Sequence, residues 1–126
     1  MPECRPIGFI STPFDDPTAP PRQSFLDDVR GILEIDPAFA SGLTGMEPGK
    51  PYLIVWFANR ADRSTLRLDR DEGRGVFTSR SQDRPNPICL TRSLLETRKG
   101  NTLTFRGVDM ADETPVLDIK VPMTPP

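Results

Sequence analysis

The chain contains no histidine. That absence removes the usual imidazole general base, a Ser-His-Asp arrangement and histidine activation of a cysteine nucleophile. It also argues against a transition-metal centre, so no metal is expected. Cysteine is nearly as scarce. Cys4 and Cys89 form no Cys-x-x-Cys pair, and two isolated thiols fit a reduced, cytoplasmic setting. Long apolar runs are missing too: the longest, Tyr52 to Ala58, falls far short of the ~20 residues that a membrane helix needs. The N-terminus carries Glu3 and Arg5 where a signal peptide would have a basic start and an apolar core. The sequence thus predicts a soluble protein with no membrane partner. Net charge is −2 over 126 residues. A surface wholly devoted to nucleic acid would be basic, so any RNA contact must come from a local patch.

Proline is abundant instead, at 15 residues against a usual share of roughly one in twenty. Several lie near the ends, and they predict extended segments there, including a Pro-rich tail at 121–126. With 36% hydrophobic and 27% charged residues, residues 1–126 suit one domain with one core.

Proline also shapes the most distinctive stretch, Thr78-Ser79-Arg80-Ser81-Gln82-Asp83-Arg84-Pro85-Asn86-Pro87-Ile88. Arg84 and Asn86 each precede a proline, which pushes them toward extended backbone. Guanidinium and carboxamide heads on a stiff chain suit planar polar ligands. A rigid turn with solvated arginines is the alternative.

Pro6 to Ile10 reads as a strand. Asp15 to Pro21 reads as a turn-rich loop. Ser24 to Ile35 fits either a helix, from the spacing of Phe25, Val29, Ile32 and Leu33, or a strand at its end. Asp36-Pro37 predicts an N-cap and first helical residue, opening a short helix through Ala40 that Gly42 and Gly45 end. Tyr52 to Phe57 predicts a central buried strand. Arg60 to Arg74 mixes charges of both signs, as a solvated loop, a surface hairpin, or arginines on a phosphate backbone. Val76-Phe77, Ile88 to Glu96 and Thr102 to Arg106 read as β-runs, the last two joined by a Lys99-Gly100-Asn101 turn. An acidic turn, Asp109 to Pro115, leads to a final strand, Val116 to Lys120. Short strands, frequent turns and one or two short helices predict a mainly β, single-domain fold, a small barrel or a sandwich.

Gly73-Arg74-Gly75 lacks the context of a dinucleotide fingerprint, since a charged loop precedes it and Thr78 holds the third glycine's place. Two clusters remain. Arg80, Arg84 and Asn86 form one, and Asp109, Asp112, Thr114, Asp118 and Lys120 the other; a small barrel could bring both to one rim, as a ligand site or as a structural charge network.

The run from Gly75 to Ser81 and on through Arg84-Pro85-Asn86-Pro87-Ile88 resembles the signature of the TrmO (YaeB-like) family. So do the run from Asp109 to Lys120, the N-terminal run from Ile7 to Phe14, and Gly42 to Glu47, in the family's order. The resemblance spans nearly the whole chain. It implies a β-barrel methyltransferase, unlike Rossmann-type enzymes, that binds S-adenosylmethionine near a homodimer interface. It also implies methylation of the threonylcarbamoyl-modified adenosine beside the tRNA anticodon. By position, the cofactor contacts it implies are Thr12, Pro13, Phe14, Arg80, Arg84, Asn86, Asp112, Thr114, Pro115 and Asp118. With no histidine, a proton acceptor would come from Asp109, Asp112 or Asp118, and its pKa would need to be raised.

This chain departs from that pattern at Cys89 and Glu113, which stand where the family usually has glycine, and at Gln82-Asp83, Lys50-Pro51 and Val121-Pro122-Met123. Glu113 occupies a turn position where glycine would supply a positive φ. A methyltransferase of the same fold acting on a non-tRNA small molecule, and a non-catalytic cofactor-binding or interaction module, are the alternative readings.

Overall fold

In Arg30–Ile35 the side chains alternate strictly, with Gly31, Leu33 and Ile35 buried and Arg30, Ile32 and Glu34 exposed. This period of two puts one face of a strand on a core and the other in water. The computed structural model, which describes residues 3–14, 29–68 and 73–123, has six strands. They are β1 (Gly8–Ser11), β2 (Arg30–Ile35), β3 (Pro51–Phe57), β4 (Ile88–Lys99), β5 (Thr102–Arg106) and β6 (Thr114–Lys120). All pairings are antiparallel, and the order β1-β2-β5-β4-β3-β6 closes on itself through β1 and β6.

The interior is filled by Ile10, Leu33, Ile54, Leu95, Leu103, Phe105, Met110 and Val116, each fully shielded from solvent. Burying each such large side chain contributes about 1.5–3 kcal/mol. Gly8 opens β1 because any Cβ there would collide with the Glu34 carbonyl oxygen. Gly100, at φ 60, turns β4 into β5 as the sequence predicts. β4 and β6 are the elements whose bounds differ most from the sequence reading. β4 continues past Glu96 to Lys99 through a bulge between Leu95 and Thr97. β6 starts at Thr114, with Pro115 paired to Phe9.

Two further differences have local causes. Val76-Phe77 is not a strand but part of a 3-10 turn, Val76–Thr78. The Val76 carbonyl accepts the Ser79 amide at 3.1 Å, the Ser79 hydroxyl at 3.0 Å and the Arg84 guanidinium. Local side-chain bonds of this kind displace ladder pairing. The Asp36-Pro37 helix is a 3-10 helix, Pro37–Leu43, whose cap carboxylate accepts the Ala38 amide at 2.9 Å. It runs through Gly42, because Leu43 reaches the core and anchors its end. The ambiguous segment resolves as strand over Arg30–Ile35, and residues 15–28, with the remainder of that reading and the Asp15 to Pro21 loop, lie outside the described residues. Among the described residues no helix is long and apolar enough to cross a membrane.

The barrel has two distinct ends. One gathers the end of β3, the start of β4, the segment after β5 and the start of β6. At the other, the 3-10 helix Pro37–Leu43 lies over a groove of about 410 Å³.

Candidate functional site

The Arg-Pro-Asn-Pro stretch is braced from behind by the charged loop that precedes it. Ala58 donates its amide to the Pro87 carbonyl at 2.9 Å and Asp62 donates its amide to Asp83 Oδ1 at 2.9 Å. Arg63 donates to the Pro85 carbonyl at 2.8 Å and lies over the Phe57 ring, 5.5 Å from its centroid. Arg67 donates to the Gly73 carbonyl and Arg74 to that of Thr78. These arginines tie loop to loop. Asp69, Arg70, Asp71 and Glu72 of that block lie outside the described residues.

On the inner side of the stretch is a cleft of about 380 Å³, lined by Trp56, Arg80, Gln82, Arg84, Ile88, Cys89, Leu90 and Asp109. Trp56 and Gln82 also wall an adjoining dent with Asn59, Arg60, Asp112, Glu113 and Thr114. The arginine cluster and most of the acidic cluster therefore meet at one barrel mouth. Arg60 and Arg80 are exposed and have no hydrogen-bond or ion-pair partner among the described residues. Arg84 differs: its Nη2 donates to the Ser79 carbonyl at 2.9 Å and to that of Val76, while its Nε is buried without a partner.

The two distant motif segments are knotted together at this mouth. Thr12 donates its amide to Asp112 Oδ1 at 2.9 Å and its hydroxyl to the Met110 carbonyl at 2.9 Å. Asp112 donates its amide to the Phe14 carbonyl at 2.7 Å. Pro13, between them, is exposed. Glu113 turns the chain at φ 63 and donates its amide to the Ile10 carbonyl at 2.8 Å. The Thr114 hydroxyl is buried on the Ala111 carbonyl at 2.7 Å, and Pro115 is buried in β6.

Asp109 is the most perturbed carboxyl at the mouth. Burial pushes its pKa up from the ordinary 3.8, against a hydrogen bond from Thr91 and its own backbone amide, which lower it. Thr91 Oγ1 donates to Asp109 Oδ1 at 2.5 Å and accepts Trp56 Nε1–H at 3.0 Å. Beside it, burial, and then the Asp109 carboxylate, push the Cys89 thiol up to about 11, despite the Arg84 charge.

Two candidates lie away from the cleft. Asp118 is at the opposite end of the barrel, where it lines the groove beside Tyr52 and Met46 and pairs with Lys120 Nζ at 2.8 Å. β6 traverses the barrel, and at roughly 3.3 Å per residue Asp118 lies roughly 13 Å beyond Thr114. The expectation that Asp118 and Lys120 share the rim is corrected on this ground. Asn86 faces outward, its Oδ1 accepting from Arg63 Nη2 at 3.4 Å, in a separate dent with Phe77 and Pro85. Sequence reasoning missed Trp56, Asn59 and Thr91. Trp56 read as core and Thr91 as part of a β-run, and the inward hydroxyls of Thr91 and Ser93 in β4 were the signal that could have hinted otherwise.

The fold and cleft define a closed β-barrel with a cleft of mixed charge at one mouth. The family model for the tRNA-methyltransferase O N-terminal domain matches residues 9–125. The chain belongs to that family, TrmO. It is 43% identical over 117 residues to a probable S-adenosyl-L-methionine-binding protein of Halobacterium salinarum, covering 91% of this chain and 94% of that one. It is 36% identical over 125 residues to a putative S-adenosylmethionine-dependent methyltransferase of Pseudomonas aeruginosa, covering 91% of this chain and 54% of that one. The crystal structure of TrmO from Pseudomonas aeruginosa superposes with a TM-score of 0.80 at 34% identity, covering 98% of this chain. This chain spans 56% of that solved chain.

Proposed function

We propose that this barrel binds S-adenosylmethionine at the mouth described above and transfers its methyl group to the threonylcarbamoyl-modified adenosine beside the tRNA anticodon. The residues present fit such a ligand. A cleft of about 380 Å³ lies within the roughly 300–1,000 Å³ of small-molecule sites. Arg80 offers two parallel hydrogen bonds to a carboxylate. Asp112 and Glu113 offer acceptors for an ammonium or a ribose diol, and Trp56, Ile88 and Leu90 offer apolar surface for a base. When bound, the cofactor supplies a methyl on a sulfonium, already activated toward attack. The chain's own task is then to align the acceptor, exclude water and take up a proton. The observation that carries the reading is the direct bonding of Thr12 and Phe14 to Asp112 beside the arginine-lined cleft.

The exposed apolar side chains Ile88 and Leu90, 45% and 51% accessible at the edge of the cleft, favour a second copy of the chain covering it. A homodimer is part of the proposal, as is a cytoplasmic place of action on tRNA. A non-tRNA small-molecule acceptor is the second reading. It is favoured by the net charge of −2 and by Arg63, Arg67 and Arg74 being engaged on backbone carbonyls.

Calorimetric titration with S-adenosylmethionine and S-adenosylhomocysteine tests the cofactor. Saturable binding near one per chain is expected, and a folded protein that binds neither overturns the reading. Binding of tRNA across a salt series tests the acceptor, because phosphate contacts weaken steeply with salt. Absence of tRNA binding at low salt leaves the small-molecule acceptor.

A further inference from the structure

Trp56, Thr91 and Asp109 come from three separate elements and form a directed chain of hydrogen bonds ending in the cleft. Trp56 Nε1–H can only donate, and it does so to Thr91 Oγ1 at 3.0 Å. A hydroxyl that accepts there turns its single proton elsewhere, and Thr91 directs it at Asp109 Oδ1, 2.5 Å away. Oδ1 is therefore held as an acceptor, so an added proton on this carboxyl sits on Oδ2. No other side chain donates to the carboxylate among the described residues, and Asp109 lines the cleft. Neither of the other candidate carboxylates lines this cleft. Asp112 holds the Thr12 amide, and Asp118 pairs with Lys120 at the far end.

From this geometry we infer that Asp109 is the proton acceptor of the transfer, with Oδ2 as the receiving atom and with Thr91 and Trp56 as positioning residues. The inference rests on the methyltransferase reading of the same mouth. An acceptor group bearing N–H or O–H forms its bond to the methyl carbon while the sulfur keeps the electron pair of the broken bond. The proton released passes to Oδ2, which returns it to solvent after the product leaves. The other charged and titratable groups of the cleft are Arg80, Arg84 and Cys89. The arginines stay cationic, and the thiol, pushed up to about 11, stays protonated. Asp109 is thus the group of the cleft left to take up a proton, and its burial raises its affinity for one in the direction a base requires.

The test uses the full chain, the Asp109→Asn and Thr91→Val variants, and bulk tRNA with radiolabelled S-adenosylmethionine as probes. Asp109→Asn keeps the Thr91 bond, so calorimetric affinity for S-adenosylmethionine stays within about threefold while labelling falls by about 100-fold or more, the scale of a lost general base. Carbon-13 spectra of the aspartate carboxyls provide a readout independent of activity. One resonance, missing in Asp109→Asn, titrates above the ordinary range, and Thr91→Val moves it further up because a lowering bond is gone. The acidic limb of the rate profile moves with it.

Wild-type labelling by Asp109→Asn, or a carboxyl that titrates in the ordinary range and ignores Thr91→Val, overturns the inference while the cofactor reading stands. Lost affinity in Asp109→Asn overturns it too, by making Asp109 a binding contact. A wild-type protein that binds no S-adenosylmethionine overturns the methyltransferase reading and the inference with it.

Discussion

Thr12 and Asp112 stand a hundred positions apart and share one hydrogen bond, from the amide of the first to Oδ1 of the second at 2.9 Å. That bond, with the return bond from the Asp112 amide to the Phe14 carbonyl, fixes the N-terminal motif against the acidic turn. Asp112→Ala leaves the Thr12 amide without its acceptor and should cost about 1–3 kcal/mol. Asp112→Asn keeps an acceptor oxygen and should retain most of that stability in urea unfolding. The asparagine variant then isolates any role of the negative charge in cofactor affinity.

Glu113 sits at φ 63 without being glycine. Left-handed backbone costs an L side chain roughly 1–2 kcal/mol. Glu113→Gly should therefore raise the unfolding free energy by about 1 kcal/mol, visible as a rise of a few degrees in Tm. An unchanged or lowered Tm would show that the glutamate side chain compensates for its own strain.

The arginines of the central stretch divide into two kinds. Arg80 is exposed and unpaired among the described residues, whereas Arg84 holds the carbonyls of Val76 and Ser79. Arg80→Ala should lower S-adenosylmethionine affinity by about tenfold or more and leave Tm unchanged, since it loses only ligand contact. Arg84→Ala should lower Tm, with about 1–3 kcal/mol lost as the Ser79 carbonyl loses its partner. Asn86→Ala should do neither to a large degree, because its side chain faces away from the cleft.

Asp109 binds its proton more tightly folded than unfolded, since its pKa is raised. As pH rises from the ordinary 3.8 through the folded value, the folded state holds more protons than the unfolded one, and stability falls across that window. Asp109→Asn should remove this slope. In urea titrations the variant should gain on the wild type as pH rises above about 4, the ordinary carboxylate range, with the gap closing below it.

The two thiols should react very differently. Cys4 is exposed, while Cys89 is partly buried with its thiol pushed up to about 11. At pH 8 a maleimide or disulfide reagent should modify Cys4 quickly, and a Cys4→Ser variant should resist the reagent until strongly alkaline pH or unfolding.

The barrel was legible where neighbours in sequence are neighbours in cause. Tyr52 to Phe57 is apolar and β-forming throughout, and it is a central strand. Lys99-Gly100-Asn101 turns where glycine permits a positive φ. Glu113, too, marks a position of positive φ, as its glycine-like context suggested. Val76-Phe77 was not legible, because their backbone follows a carbonyl that Ser79 and Arg84 claim from positions downstream. Asp118 and Asp112 looked equivalent on one acidic segment, yet β6 carries them to opposite ends of the barrel. Trp56 and Thr91 were hidden more deeply. Each is an ordinary interior residue, and their meaning lies in a pairing across β3 and β4 that composition does not reveal.

β6, near the C-terminal end of the chain, is wedged between β1 and β3. During translation the first strand emerges long before its partner and must wait, unpaired on that side, until about a hundred further residues have been made. Pairing over such sequence separations is slow. The mouth of the barrel joins Thr12 to Asp112, so it takes shape only once β6 has been added beside β1.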